Sequence, residues 1–197
     1  QSASNYARTK AEGENVVRKS SPDAVIMRAS VIFGAEDKFF NRFASLARFT
    51  PFLPLIGGGH TKMQAVYVGD VAEAIALSVD GKLKRGTVYE LGGADIQSFK
   101  GWMGDMLKVI DRKRFFVSMP WWIAKLNARI LGLLPNPLVT ADQVTLLKSD
   151  NVVSDAAVAE GRTLQGMGIT PQGADAILPA YLWRYRVAGQ YTKMREA

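Results

Sequence analysis

The hydrophobic positions in the first half of the chain alternate between a helical period and short extended runs. Residues 6–19 contain few helix breakers except Gly13, and Ser4 or Asn5 stands before them as an N-cap, which predicts a helix. The apolar runs 24–27 and 29–34 predict a buried strand and its extended continuation. A strand that follows a helix at this distance is typical of an α/β crossover unit.

The same alternation continues to residue 117. Ser98 predicts the N-cap of a helix that runs to Ile110, and Asp70 with Glu73 three residues later indicates a capping box before another helix. We therefore interpret Asp70 as structural rather than catalytic. The full prediction for this part has helices at 38–48, 71–79 and 99–110 and strands at 63–68, 87–91 and 115–117.

One apolar segment, residues 50–60, fits neither period. It contains two prolines and three consecutive glycines, which predict a loop rather than a regular helix. The glycines lack the Gly-x-Gly-x-x-Gly spacing of a phosphate-binding turn. An apolar loop either lines a pocket or covers the core, and the sequence leaves both open.

From Pro120 onwards the pattern is mostly helical. We predict helices at 121–134, 140–148 and 173–190, the first two separated by Pro135-Asn136-Pro137. The strongly apolar helix 121–134 is interpreted as a core helix of a small helical lobe, with a membrane or partner interface as the alternative. We accordingly divide the chain into residues 1–118 and residues 119–197.

Composition removes several classes of function. The chain has no cysteine and a single histidine, His60, so it offers no thiolate site and no ordinary basis for a histidine metal site or a Ser-His triad, and we predict no metal. The net charge is +7, but successive blocks of fifty residues carry an excess of three, zero, three and one. We interpret this as a diffusely basic surface and predict no nucleic-acid partner.

Candidate chemistry begins at the first helix. Tyr6 and Lys10 are four residues apart, so their side chains share a helical face. A phenol with a pKa near ~10 is a poor base at neutral pH, and a nearby positive charge favours its ionised form. Tyr6 could exchange a proton with a substrate oxygen while Lys10 donates hydrogen bonds to a cofactor. The alternative is a surface tyrosine beside a lysine that pairs with Glu14.

Three elements then occur in a fixed order: Tyr6-x-x-x-Lys10, the stretch 27–34 and the stretch 64–72. Together they resemble the extended short-chain dehydrogenases/reductases, the family of NAD-dependent epimerases and dehydratases, and the resemblance covers about residues 2–110. Within that family the chain is most similar to the atypical branch that contains the 39-kDa accessory subunit of NADH:ubiquinone oxidoreductase and its bacterial relatives.

The resemblance implies an α/β fold, the C-terminal part of a Rossmann-like doubly wound parallel sheet with a small, mostly helical substrate lobe. It implies that Tyr6 is the catalytic acid/base and that Lys10 holds the nicotinamide ribose and lowers the pKa of the tyrosine. Ala29, Ser30 and Val31 would pass beside the nicotinamide ring.

The resemblance also implies a substrate pocket bordered by residues 51–64, with Val31, Leu55 and Gln64 as substrate-binding residues. Val31 stands where nucleotide-sugar enzymes of the family often carry Asn, and Gln64 where many carry a basic residue. These departures argue against a nucleotide-sugar substrate and leave the substrate itself undetermined.

The Gly-rich dinucleotide fingerprint and the usual Ser/Thr partner of the tyrosine should precede Tyr6, where the chain has no room for them. We therefore expect a fragment that is inactive alone and that binds NAD or NADP only with its N-terminal half. The leading hypothesis is an NAD(P)-dependent oxidoreductase or epimerase-like protein acting on a small-molecule substrate.

The alternative is a non-catalytic accessory subunit that holds the cofactor and is associated with NADH dehydrogenase at the membrane. Its partners would be a second copy of the chain or a larger respiratory complex. No signal peptide and no apolar stretch of about 18 residues is visible. We predict a cytoplasmic location, with peripheral contact to the inner membrane left open.

Overall fold

The computed structural model describes residues 4–131, 140–189 and 191. The helices within these residues are α1 (Asn5–Ser20), α2 (Phe40–Phe49), α3 (Val68–Val79), α4 (Phe99–Val109), α5 (Trp121–Leu131), α6 (Ala141–Leu146), α7 (Asp155–Ala159) and α8 (Ala174–Leu182). The strands are β1 (Ile26–Ala29), β2 (Ile32–Phe33), β3 (Phe52–Ile56), β4 (Lys62–Met63), β5 (Val66–Tyr67), β6 (Val88–Leu91), β7 (Gln97–Ser98) and β8 (Phe115–Met119).

Most of the strand pairing is parallel. The pairs β1–β6, β2–β5 and β3–β8 are parallel, and β4–β7 is antiparallel. Parallel partners need a crossover connection, which the helices between them supply. This arrangement confirms the predicted α/β class.

The ends of the helices follow local capping chemistry where a side chain is available. Ser98 accepts a hydrogen bond from the amide of Gly101 at 3.0 Å, so the predicted cap of α4 is confirmed. The capping box at Asp70 is wrong, because α3 already begins at Val68, directly after β5. Asp70 instead lies buried in the first helical turn and accepts a hydrogen bond from the amide of Gln172 at 2.9 Å.

The predicted loop at 50–60 is partly a strand. Residues 52–56 form β3, whose one strand partner within the described part of the chain is β8, and Leu53 and Leu55 are buried. A strand with a single partner tolerates proline, because an amide on its open edge has no sheet hydrogen bond to lose. The three glycines form a 3₁₀ turn with positive φ, as a glycine-rich turn should.

The main core lies between α2, α4, α8 and the adjoining strands. Trp102 is 1% exposed at its centre, and its indole Nε1 donates a hydrogen bond to the carbonyl of Met63 at 3.0 Å. Leu178 and Leu182 of α8 pack into the same cluster. A second apolar cluster lies against β6, and a third joins α5 and α6 to Ile56.

Helix α5 has two different faces. Ala124 and Ala128 are buried, whereas Trp122 is 69% and Leu126 is 51% exposed. The inner face of α5 therefore packs into the core, as we favoured. The alternative, an interface on the exposed outer face, stays a prediction. Residues 132–134 of the predicted helix and the proline break at 135–137 lie outside the described residues.

The remaining tail differs in detail from the prediction. The helix predicted over 173–190 is α8, which ends at Leu182 and continues as a 3₁₀ turn to Tyr185. The short elements β7 and α7 were not predicted, because two to five residues are too few to establish a period. No helix in the described ranges has the length and apolar character needed to cross a membrane.

Candidate active site

The two predicted catalytic side chains lie together on α1. The Nζ of Lys10 is 5.6 Å from the centroid of the Tyr6 ring, a cation–π distance. The Tyr6 side chain is 57% exposed, and α1 has no buried residue. A ligand can therefore approach both groups from the same side.

The first turn of α1 is held by a residue far along the chain. Ser4 caps the helix, since its hydroxyl accepts a hydrogen bond from the amide of Ala7. The carboxylate of Asp142, in the first turn of α6, accepts hydrogen bonds from the Ser4 hydroxyl at 2.8 Å, the Asn5 amide at 2.9 Å and the Tyr6 amide at 3.0 Å. A carboxylate at the positive end of a helix satisfies amides that have no partner within the helix.

These contacts change the ionisation of Asp142. The Ser4 hydroxyl, and then the Tyr6 and Asn5 amides, hold the pKa of the Asp142 carboxyl below its usual range. Sequence reasoning missed this residue. An acidic residue in the first turn of α6 is already explained by the positive end of that helix. No sequence pattern connects Asp142 with α1, which begins 137 residues earlier.

An ion pair fixes α1 against β1. The Arg28 guanidinium donates to Glu14 through Nε at 2.9 Å and through Nη2 at 2.6 Å, a bidentate contact. This hydrogen bonding lowers the pKa of Glu14 and raises that of Arg28. Glu14 thus pairs with Arg28 rather than with Lys10, contrary to the alternative interpretation of the Tyr6–Lys10 pair.

The ion pair also relates the position of Tyr6 along α1 to the direction of β1. Tyr6 is two turns before Glu14, about 12 Å along the helix axis. Val31 is three residues after Arg28, about 10 Å along the strand direction. Because the short connection 21–25 turns the chain back, we expect Tyr6 to lie on the side of the ion pair that faces the carboxyl end of β1.

Residues 29–31 are held at the carboxyl end of β1. The Ser30 amide donates to the carbonyl of Leu91 at 3.0 Å, and the Val31 carbonyl accepts from the amide of Val66 at 2.9 Å. Ala29 is exposed beside them. A stretch fixed in this way can form one wall of a ligand site, which fits the predicted nicotinamide contact.

A cleft of about 460 Å³ opens at the carboxyl ends of β2 and β5, lined by residues 32–37 and Val68. A Cβ on Gly34 would lie 2.7 Å from Cγ1 of Val68, so only glycine keeps this approach. Ligands of open α/β sheets bind at this edge, beyond the carboxyl ends of the strands. The sequence indicated residues 29–34 by that rule but missed residues 35–37 and Val68.

Two predicted substrate residues lie elsewhere. Leu55 is 4% exposed in the main core. Both polar atoms of the Gln64 side chain make hydrogen bonds within the chain. Its Nε2 donates to the Gly93 carbonyl and its Oε1 accepts from the Val153 amide, each at 3.0 Å. Neither residue lines the cleft at β2 and β5, and a substrate contact by Leu55, Gln64 or the half-buried Val31 stays a prediction.

A larger cleft of about 730 Å³ runs along β6 and is lined by charged residues that include Arg28, Glu90 and Arg162. Part of this charge is paired, because Glu160 pairs with Arg162 and Arg28 lies 4.0 Å from Glu90. Arg18 and Lys84 leave the lining with an excess of positive charge. Neither Tyr6 nor Lys10 lines it. Over the described ranges, no three His, Cys, Asp or Glu side chains are grouped so as to hold a metal ion.

Known proteins are similar to this chain in both sequence and fold. A family model described as the RmlD substrate binding domain matches residues 2–98. Subunit 9 of the NADH dehydrogenase [ubiquinone] 1 alpha subcomplex, mitochondrial, from Arabidopsis thaliana is 36% identical over 95% of this chain, and the Rattus norvegicus protein of the same name is 30% identical over 86%. The predicted resemblance to the extended short-chain dehydrogenase/reductase family is therefore confirmed at the level of sequence. The chain spans about half the length of these relatives, 48% and 44% respectively.

Solved structures of the extended family have the same fold. The dTDP-glucose 4,6-dehydratase DesIV from Streptomyces venezuelae, bound to NAD, aligns with a TM-score of 0.63 and 19% identity over 97% of this chain and 52% of its own. UDP-glucose 4-epimerase from Thermus thermophilus, also with NAD, aligns with a TM-score of 0.59 and 18% identity over 90% and 51%. The predicted Rossmann-like α/β architecture is thereby confirmed.

Proposed function

We propose that the chain carries the tyrosine–lysine half of the active site of an NAD(P)-dependent oxidoreductase or epimerase. The observation that supports this most directly is that Tyr6 and Lys10 share an exposed face of α1. In this function the Tyr6 hydroxyl exchanges a proton with a substrate oxygen. The Lys10 ammonium supplies hydrogen-bond donors and a positive charge next to that hydroxyl.

The residues present fit one part of a dinucleotide. Lys10 can donate to ribose hydroxyls, and the fixed stretch 29–31 can border a nicotinamide ring. When bound, the nicotinamide would supply hydride transfer. No Gly-x-Gly-x-x-Gly turn occurs in the 197 residues, so we infer that the pyrophosphate is bound by sequence outside them, which also decides between NAD and NADP.

Calorimetry with NAD, NADH and NADPH tests the proposal on the full-length protein, meaning this chain together with any sequence that its gene encodes before it. We expect the full-length protein to bind at least one of these dinucleotides. Lys10→Met should weaken binding about tenfold, the effect of losing a charge-assisted hydrogen bond. Lys19→Met, an exposed lysine at the other end of α1, is the matched control. A wild-type protein that binds none of the three contradicts the proposal.

A second candidate is supported by the curated relatives, which are named as subunits of the mitochondrial NADH dehydrogenase and NADH-ubiquinone oxidoreductase. Here the chain would be a cofactor-holding accessory subunit of a respiratory complex, at the cytoplasmic side of the inner membrane. Tyr6→Phe distinguishes the two functions. Loss of turnover with unchanged dinucleotide binding favours the enzyme, whereas unchanged respiratory NADH oxidation favours the accessory subunit.

A further inference from the structure

The pair β3–β8 has an apolar face that is open at one end. Phe52 and Phe115 are partners in the parallel register, and their ring centroids are 6.1 Å apart. They are 54% and 72% exposed, and Val117, two residues after Phe115 on the same face, is 47% exposed. Phe49, at the end of α2, is 81% exposed close by in the chain.

The other end of this face is covered. Ile56 and Met119, which continue the same face by alternation, pack against Ala124 and Ala128 of α5. The face is therefore apolar along its whole length, and α5 shields only the last residues. On the outer side of that helix, Trp122 and Leu126 are also exposed.

Cations border the open end. Arg112, Lys113 and Arg114 directly precede Phe115, and Arg48 lies over the Phe49 ring, 5.6 Å from its centroid. The Arg114 Nε donates to the carbonyl of Ala47 at 2.7 Å, which brings the start of β8 to the end of α2. Burial, and then the nearby guanidiniums of Arg114 and Arg48, lower the pKa of Arg112.

These charges are not neutralised within the part of the chain that the structure describes, where no ion pair involves Arg48, Arg112, Lys113 or Arg114. The sequence shows the same excess of positive over negative charge. The two segments of sequence in which these residues lie, 38–69 and 112–131, contain nine Lys and Arg and no Asp or Glu, whereas the rest of the chain has sixteen basic and eighteen acidic residues. The whole positive excess of the protein therefore lies in these two segments.

We propose that this basic aromatic surface, formed by Phe49, Phe52, Phe115 and Val117 and bordered by those four cations, docks on the surface of an anionic lipid bilayer. Aromatic side chains enter the boundary between headgroups and acyl chains, while Lys and Arg attract the anionic headgroups. Neither contribution requires a spanning helix. The inference goes beyond dinucleotide chemistry, and it holds whether or not Tyr6 is catalytic.

Vesicle co-sedimentation of the chain tests the proposal, with vesicles of phosphatidylcholine alone and vesicles that contain about one-third phosphatidylglycerol. We expect binding to the anionic vesicles that is about tenfold weaker at high salt, because the attraction is screened. The double substitution Phe52→Ser/Phe115→Ser should weaken binding about tenfold or more. Lys113→Gln should weaken it about fivefold.

Val79→Ser and Lys82→Gln are matched controls, since both side chains are exposed and lie on or just after α3, outside the proposed surface. Thermal unfolding monitors the fold of every variant. Equal binding to both vesicle types, binding to neither, or an equal loss in the controls would overturn the proposal. So would self-association that Phe52→Ser/Phe115→Ser abolishes without any vesicle binding, because the surface would then be a protein interface.

Discussion

The amide of Tyr6 donates a hydrogen bond to the carboxylate of Asp142, which lies 136 positions further along the chain. The residue that would handle the proton is therefore positioned from the helical tail. Because the same carboxylate also binds Ser4 and Asn5, α6 holds the whole first turn of α1. Changes in the tail should consequently be felt at the candidate active site.

Replacing Asp142 by Ala should loosen the first turn of α1 while leaving its last turn intact. Three hydrogen bonds from that turn lose their acceptor, and the positive end of the helix loses its counter-charge. Hydrogen exchange of the amides of Asn5 and Tyr6 should speed up, while exchange near Ser20 stays constant. Asp155→Ala, in the first turn of α7, is the control, and equal exchange in both variants would contradict the assignment.

The same contact predicts a dependence on pH. The pKa of Asp142 is lower in the folded chain than in the unfolded chain, so its contribution to the free energy of unfolding is complete above the unfolded pKa, near ~4. That contribution is lost as the pH falls through the lowered folded value. Thermal unfolding of the wild type should therefore lose stability in acid more steeply than that of Asp142→Asn. Parallel acid profiles of the two proteins would argue against the clamp.

The Glu14–Arg28 pair should stabilise the position of α1 more than the stability of the whole chain. Arg28 is half exposed, so solvent screens the pair, and a double-mutant cycle with Glu14→Gln and Arg28→Gln should give about 0.5–1 kcal/mol at low salt. Urea denaturation measures this coupling energy. The more exposed pair Asp80–Lys82 serves as comparison, and its coupling should be smaller. A larger coupling for Asp80–Lys82 would show that the bidentate geometry contributes little.

Tyr181→Phe should destabilise the chain by about 1–3 kcal/mol, because the partly buried carboxylate of Asp37 then loses the donor that the Tyr181 hydroxyl supplies. The Tyr181 hydroxyl donates to Oδ2 of Asp37 at 2.6 Å, and Oδ1 of Asp37 accepts from the Phe39 and Asn41 amides at the start of α2. Tyr185→Phe is the matched control, because that hydroxyl donates to the uncharged side chain of Asn41. Urea denaturation should rank Tyr181→Phe as clearly the more damaging change.

Ionisation provides an independent check on Tyr181. Burial, and then the hydrogen bond and charge of Asp37, raise the pKa of Tyr181 far above the ordinary value near ~10. The folded chain keeps this phenol neutral, so stability falls as the pH rises through the unfolded pKa. Alkaline titration by ultraviolet absorbance, compared with that of Tyr181→Phe, should show that Tyr181 stays unionised until the chain unfolds. Ionisation of Tyr181 in the folded chain would contradict its contact with Asp37.

Local periodicity predicted most of the elements that depend on nearby residues. Helix α1, strand β1 and the Ser98 cap were found because their signals lie within a few positions of one another. Strand β3 was missed because proline and glycine composition indicates a loop, whereas the strand exists through pairing with β8, about sixty residues away. Asp70 was misassigned because its partner, Gln172, is distant in sequence.

The concentration of positive charge in two segments was also missed, because these segments are far apart in the sequence. Blocks of fifty residues divide the segments 38–69 and 112–131 and mix them with acidic stretches, so the charge seemed diffuse. The β3–β8 pairing and the Arg114–Ala47 hydrogen bond bring the two segments together. The Tyr6–Lys10 pair, in contrast, was accessible from sequence, because both residues lie within one helical turn.

Gly57 decides more than the shape of its own turn. A side chain at this position would overlap the indole ring of Trp121, which begins α5. An alanine there would force the Trp121 indole, or the start of α5 with it, away from the turn that follows β3. The single hydrogen atom of this glycine therefore sets how closely the first helix of the tail can approach the sheet.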